Sequence, residues 1–330
     1  MRPARVTLSA AALRHNLTLL RQLAPQTRIW AVIKANAYGH GLAFAARTLA
    51  GSADGFAVAT LEEAEQLRRL GINSPILLLE GLYEPAEVTA AQQLNLSLVV
   101  HTEQQIRWLA EAAPHHPWQL WIKLDTGMHR LGFDWREAAR VSEHVHRLLP
   151  GAQCHVMSHL ACADEAEDSF TVVQTERFMK ASQVFDGQRS LANSAALIRY
   201  PDTHLDWARP GIALYGATPL LNELKPVMRF ESALLSLRWL DAGESVGYGL
   251  RWTASRRSLI GVVAAGYGDG YPRHAPDGTP LWVDGARVPL AGRVSMDMLT
   301  VDLTDHPRRD GLRPGARVEL WGERVSVTEV

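Results

Sequence analysis

Five places in the sequence put a charged or polar side chain at the end of a short apolar run. Lys34 closes "RIWAVIK", Arg130 follows "QLWIKLDTGMH", and His159 closes "QCHVMSH". Asn193 and Ser194 end "RSLANS", and Arg209 follows "HLDWA". A lysine in apolar surroundings is more readily the free amine, and a free amine attacks aldehydes to form an imine. Ser194 and the backbone N–H groups of "PGIALYG", just after Arg209, are donors suited to a phosphate at a helix start. Together these groups fit a cofactor that carries an aldehyde and a phosphate. The Ala-Asn-Ala-Tyr-Gly-His-Gly stretch after Lys34 offers small and flexible positions, where backbone can come close to such a group.

These residues need a scaffold that gathers strand ends in one place. Eight apolar runs recur through the first two thirds of the chain: residues 28–35, 54–60, 75–81, 96–101, 119–125, 153–159, 189–194 and 204–211. Segments such as "LEEAEQLRRLG" and "TEQQIRWLAEAAP" lie between them, with apolar residues at helical spacing, early acids and a Gly or Pro stop. Strands and helices alternating in this way predict a (β/α)8 barrel, whose functional groups sit where strands end. "RSLANS" and "HLDWARPG" are poor strands by propensity, yet the count of eight needs them. Beyond residue 225 the pattern changes to strand-rich segments with Asp-Gly turns at 269–270 and 284–285. The expected organisation is a barrel over residues 1–225 followed by a smaller, mostly β domain over 226–330.

Bulk properties exclude several classes. A net charge of −1 favours neither nucleic acid nor a membrane surface as partner. Arg14, His15 and Asn16 interrupt the N-terminal apolar residues, so neither a signal peptide nor a membrane span is expected, and the cytoplasm is the default compartment. Two cysteines, Cys154 and Cys162, suggest thiols in a reducing interior. "CHVMSHLAC" resembles a ligand cluster, but strand alternation turns its neighbours to opposite faces, and no metal is expected.

Longer blocks add a resemblance. "VIKANAYGHG", "KLDTGMHRLGF", "SHLACAD", "NSAA", "DWARPGIALYG", "VGYG", "GYGDGYPR" and "GRVSMDM" occur in this order and span nearly the whole chain. In this it resembles the alanine racemases, which use pyridoxal 5'-phosphate to interconvert L-alanine and D-alanine. The resemblance implies that Lys34 holds the cofactor, with Tyr38, Asn193, Ser194, Gly211 and Ile212 among the residues around it. It places Arg209 against the cofactor's pyridine nitrogen. Arginine has no acceptor and keeps its proton, so that nitrogen would stay unprotonated and the ring would be a modest electron sink.

The resemblance also implies a two-base reaction through an external aldimine, with Lys34 on one face and Tyr248 on the other. A phenol titrates near 10 and needs assistance, which His159, in contact with Arg209, would give. Taken alone, an aromatic between two glycines is a turn or packing residue. In the family this tyrosine comes from the other subunit of a head-to-tail homodimer, as do the counterparts of Tyr267 and Met296. Arg130 and the Met296 N–H would hold the substrate carboxylate. Lys123 shares a strand face with Trp121 and Asp125. The family often carries a carbamylated lysine there, the alternative being a plain lysine paired with a carboxylate. The activity would supply D-alanine for peptidoglycan precursors or consume it. Family members continue past the equivalent of Val330 with a tail whose tyrosine also helps bind the phosphate. Two rivals share the lysine segment: a non-catalytic pyridoxal-phosphate protein, which would lack the β domain, and a decarboxylase of similar architecture.

Overall fold

The computed structural model describes residues 2–165 and 169–330. They form two compact units, one of Ala10–Lys225 and one of residues 2–9 with Pro226–Val330.

The first unit is a closed parallel barrel. Leaving β1 (Arg5–Leu8) to the second unit, its strands are β2 (Arg28–Val32), β3 (Gly55–Val58), β4 (Ile76–Leu78), β5 (Ser97–Val100), β6 (Gln119–Asp125), β8 (Gln153–Met157), β9 (Arg189–Ser190) and β10 (Trp207–Ala208). A short β7 (Phe133–Asp134) hangs on the end of β6. Each barrel strand pairs in parallel with the next, and β10 returns to β2 to close the ring. Helices fill the crossovers, and two start on threonine caps. Thr60 accepts from the Glu63 N–H and Thr102 from the Gln105 N–H.

All eight expected strands are present, the two of poor propensity as two-residue strands. Side chains reinforce these last two. Ser190 Oγ donates to Trp207 O at 2.7 Å, and the Arg189 N–H donates to Asp206 Oδ2 at 2.7 Å. Inside the barrel the fill is aromatic. Trp30 stacks on Trp207 at 4.1 Å and meets Trp121 edge-on at 6.3 Å, with Val32, Ala57, Leu77, Val99 and Met157 around them. Gly55 is required here, since a Cβ at that position would lie 2.3 Å from the Trp30 ring.

The second unit is mostly antiparallel β, and its described residues contain only short 3-10 turns besides strands. Its spine is β11 (Met228–Leu240), which pairs first with β1 and Arg317–Trp321, then, past a bulge at Leu234–Ser236, with Ser258–Val263. Asp284 and Gly285, both at positive φ, turn the hairpin between Pro280–Val283 and Ala286–Pro289. Buried Glu231 binds Arg5, Arg229 and Arg317. Residues 2–9 therefore do not belong with the barrel, as a division at 1–225 would have them. Strand β1 adds to β11 in register, and Arg5 completes the ion cluster.

Candidate active site

Strand β2 ends at Val32, and the chain turns sharply at Lys34. Ala35, Asn36, Ala37 and Tyr38 all have φ of 53–55°, so four non-glycine residues in succession adopt the left-handed helical conformation. Each costs about 1–2 kcal/mol relative to the right-handed form. Neighbours hold the turn in place. The Asn36 N–H donates to Glu63 Oε1 at 3.2 Å, and Asn36 Oδ1 accepts from the Leu42 N–H at 2.8 Å. Glu63 Oε2 takes the Ala59 N–H at 2.9 Å. The buried His40 ring donates from Nδ1 to the carbonyls of Ala37 and Tyr38, and it stacks on Tyr215, whose hydroxyl donates to Val32 O.

The turn faces a cavity of about 820 Å³ at the strand C-termini. Lys34 and Tyr38 line it from this side, Lys123 and Arg130 from β6 and its loop, and His159 from the end of β8. Asn193 and Ser194 enter after β9, and Arg209, Gly211 and Ile212 after β10. The ten barrel residues singled out from sequence thus line one cavity. Asn193 caps the helix Ser194–Arg199 through Ala196 N–H, and Ser194 Oγ accepts from the N–H groups of Gly211 and Ala213 at 2.9 and 3.2 Å. Gly211 carries no side chain for a visible reason: a Cβ there would lie 2.3 Å from Tyr38 Oη.

The electrostatics are one-sided. Arg209 is 4% exposed, and its guanidinium donates to Ser190 Oγ and to the carbonyls of Ser158 and Leu191, all neutral. Burial lowers it to about 9, which leaves it charged at neutral pH. Lys123 is pulled down to about 8, first by burial and then by Arg209, Arg130 and Lys34. Burial and the same cations hold His159 well below the usual histidine range, so it is neutral at pH 7. Arg209 reaches His159 as a nearby charge. Among the described residues, no carboxylate forms an ion pair with Lys123, Arg130 or Arg209.

Two acids also line the cavity, Asp164 and Glu80. Glu80, whose Oε1 lies 3.6 Å from Lys34 Nζ, escaped the sequence reading. Its signal was there, because it ends "PILLLE" after β4 as Lys34 follows β2. Cys154 is a buried thiol pushed up to about 11 by burial. Beside it, His155 bonds Gln188 N–H and Gln119. No group of three metal-ligating side chains occurs among the described residues, nor is any of their helices long and apolar enough to cross a membrane.

Tyr248, Tyr267 and Met296 lie in the second unit. Tyr248 is 69% exposed on a 3-10 turn after Gly247, and Met296 is 54% exposed. Tyr267 packs against the β core, and its loop is tied to that of Met296 by Tyr267 N–H to Ser295 O and Gly268 N–H to Met296 O.

A lysine and desolvated donors at the C-terminal mouth of a (β/α)8 barrel, in a chain with a β-rich second unit, define a barrel enzyme of lysine-centred chemistry. Family models agree with this and narrow it: "Alanine racemase, N-terminal domain" matches residues 8–219 and "Alanine racemase, C-terminal domain" matches 227–330. The chain is 49% identical to the biosynthetic alanine racemase of Pseudomonas aeruginosa over 338 residues, covering all of this chain and 93% of that protein. It is equally similar, at 49% over 333 residues, to the catabolic alanine racemase of the same organism, covering 99% and 92%. The crystal structure of the biosynthetic P. aeruginosa enzyme superposes with a TM-score of 0.94 over 100% of this chain and 93% of that one, at 50% identity. An alanine racemase from Bartonella henselae, solved with covalently bound pyridoxal phosphate, gives 0.88 at 31% identity over 98% and 91%. The chain belongs to the alanine racemase family, a family of amino-acid isomerases.

The left-handed turn reverses an ordinary expectation about glycine. Ala35 is exposed and at φ 53°, so Ala35→Gly removes the steric cost while adding unfolded-state entropy. Thermal or urea unfolding should show a stabilisation of roughly 0.5–1 kcal/mol, where Ala→Gly in a right-handed helix destabilises.

Proposed function

We propose that this chain interconverts L-alanine and D-alanine with pyridoxal phosphate held at the barrel mouth, and that Lys34 and Tyr248 of the partner subunit carry protons on opposite faces of the substrate. The observation that carries the reading is the cavity itself. It joins an amine to Lys123, Arg130 and Arg209, none of which forms an ion pair with a carboxylate among the described residues, beside a Gly211–Tyr38 contact that leaves room for no side chain.

These residues fit the cofactor: the cations call for an anion, and Tyr38, Ser194 and the backbone at Gly211 and Ile212 are donors suited to a phosphate. When bound, pyridoxal phosphate supplies an aldehyde for amine capture and a conjugated ring that acidifies the substrate's α C–H. Lys34 is the attachment point. With substrate bound, the freed Lys34 amine would accept or return a proton at Cα on its own face.

Arg209 would hold the cofactor at its pyridine nitrogen. As a donor that keeps its proton, it would leave that nitrogen unprotonated, which would favour return of the proton to Cα over side chemistry. Neutral His159 accepts a hydrogen bond from the Tyr248 phenol and eases its deprotonation. Arg130 and the Met296 N–H of the partner subunit hold the substrate carboxylate, and Tyr267 of the partner subunit walls the site. The exposed Tyr248 and Met296 side chains are the surfaces that such a homodimer covers.

Lys123 completes the set as a carbamate. The ammonium first gives up a proton; the neutral amine then adds to carbon dioxide, forming an N–C bond and releasing a second proton, so that a cation becomes an anion beside Arg130. Capture requires the unprotonated amine, which predominates above about 8 and is lost as pH falls through that value. Protein in 13C-bicarbonate should therefore show a carbamate carbonyl resonance in alkaline buffer that weakens on acidification and is missing in Lys123→Ala.

The reading is tested directly by L-alanine turnover followed by circular dichroism. Lys34→Ala should abolish both turnover and borohydride-fixable pyridoxal phosphate, whereas a retained covalent adduct would move the attachment to another lysine. Tyr248→Phe should keep the adduct and slow proton removal from L-alanine by roughly 10²–10⁴-fold, more than from D-alanine. Equal losses for both enantiomers would remove the face-specific role.

A further inference from the structure

Glu80 takes no part in the proton transfers above, yet its position is specific. It follows β4 at the barrel mouth, lines the cavity, and puts Oε1 3.6 Å from Lys34 Nζ. Its Oε2 accepts a short hydrogen bond from Tyr83 Oη. Tyr83 is 54% exposed, and the backbone that carries it is fixed by Glu87, whose Oε2 accepts the N–H groups of Tyr83 and Glu84 at 2.6 and 3.4 Å. On the other side, the Glu80 carbonyl accepts from His101 Nε2 at 2.9 Å. Tyr83 thus holds one carboxylate oxygen while His101 anchors the backbone of the residue, and the other carboxylate oxygen is left facing the lysine.

We infer that Glu80 is a positioning residue for Lys34, which holds the lysine side chain at the β4 side of the cavity by an ion pair whenever its nitrogen is not bonded to a cofactor, and that Tyr83 orients Glu80 for this task. The inference rests on and deepens the reaction proposed above, in which Lys34 is freed while substrate is bound. The groups around Lys34 show what Glu80 adds. Lys123, Arg130 and Arg209 stand on the cavity wall with it, His159 is neutral, and Asp164 is the other acid lining the cavity. Among the described residues, Glu80 is the carboxylate paired with Lys34. Without it the lysine loses the carboxylate that pairs with it, and its nitrogen is freer to meet a reagent. Tyr83 remains a donor across the working range, because the Glu80 hydrogen bond first, then burial, push its hydroxyl up to about 12.

The test uses the full chain freed of cofactor and exposed to limiting acetic anhydride near neutral pH, with acetylation of each lysine read by peptide mass spectrometry. In Glu80→Gln, Lys34 should react about fivefold faster than in the parent, as expected for losing a half-exposed ion pair at this separation. Lys180 and Lys225 serve as unaffected references. Glu80→Asp keeps the charge and should stay within about twofold of the parent. Tyr83→Phe, on the surface, should shift Lys34 in the same direction by about twofold, and it decides the matter if Glu80→Gln disturbs the references. Unchanged Lys34 reactivity in both Glu80→Gln and Tyr83→Phe overturns the inference. No substrate or cofactor is present, so a failure of the racemase reading would show in the turnover assay and leave this measurement standing.

Discussion

Positive charge without a matching carboxylate is the constraint around which the barrel mouth is arranged. A buried guanidinium is tolerated only if its N–H groups find acceptors. Arg209 finds them in Ser190 Oγ and the carbonyls of Ser158 and Leu191. These lie in or just beyond β8 and β9, and the Arg209 N–H itself donates to Ala192 O at 2.8 Å. The same residue therefore closes the weakest part of the ring, where β9 and β10 contribute two residues each. Neutral acceptors solvate Arg209 without cancelling its charge. Burial first, and then this residual field, lower Lys123 and His159, and the field is what an anionic ligand would meet.

The turn after Lys34 is the second cost the site carries. Four left-handed residues together amount to several kcal/mol, comparable with the net stability of a whole domain. Such backbone persists only where its surroundings over-determine it. Here Glu63 comes from the following βα unit and clamps Asn36 and Ala59 together, while the His40 and Tyr215 rings close the turn from below. The strain positions the lysine by tying it to two adjacent strands at once. Glu80, on the next strand again, then meets its amine.

Much of this was legible in the sequence, for physical reasons that can be named. Apolar runs such as "PILLLE" and "QLWIKLD" announce barrel strands because both of their faces are buried. A polar residue that ends such a run stands at the mouth, which is how Lys34, His159 and Arg209 could be found. Glu80 obeys the same rule, yet a lone carboxylate does not by its type point to a ligand that carries an aldehyde and a phosphate. The placement of β1 was hidden for a different reason. "RVTL" is largely exposed, and its partner strand lies more than two hundred residues away, so no local pattern reveals the pairing. The left-handed turn was equally silent, because Ala-Asn-Ala-Tyr contains no glycine to mark positive φ.

The second unit makes the argument for a shared site on physical grounds of its own. Tyr248 sits between Gly247 and Gly249 at φ 76° and 72°, and Leu250 follows at φ 48°. Glycine takes these angles without cost and Leu250 is the strained residue of the corner, yet Tyr248 and Leu250 are 69% and 65% exposed. A fold that stabilises strained backbone in order to project an aromatic and a leucine into water gains nothing from it as an isolated chain. Met296 repeats the pattern, with its backbone tied to the Tyr267 loop and its side chain outward. In the reaction proposed above, the phenol of Tyr248 would be desolvated by the surface it docks against, and a second copy of the barrel mouth is the surface that proposal calls for.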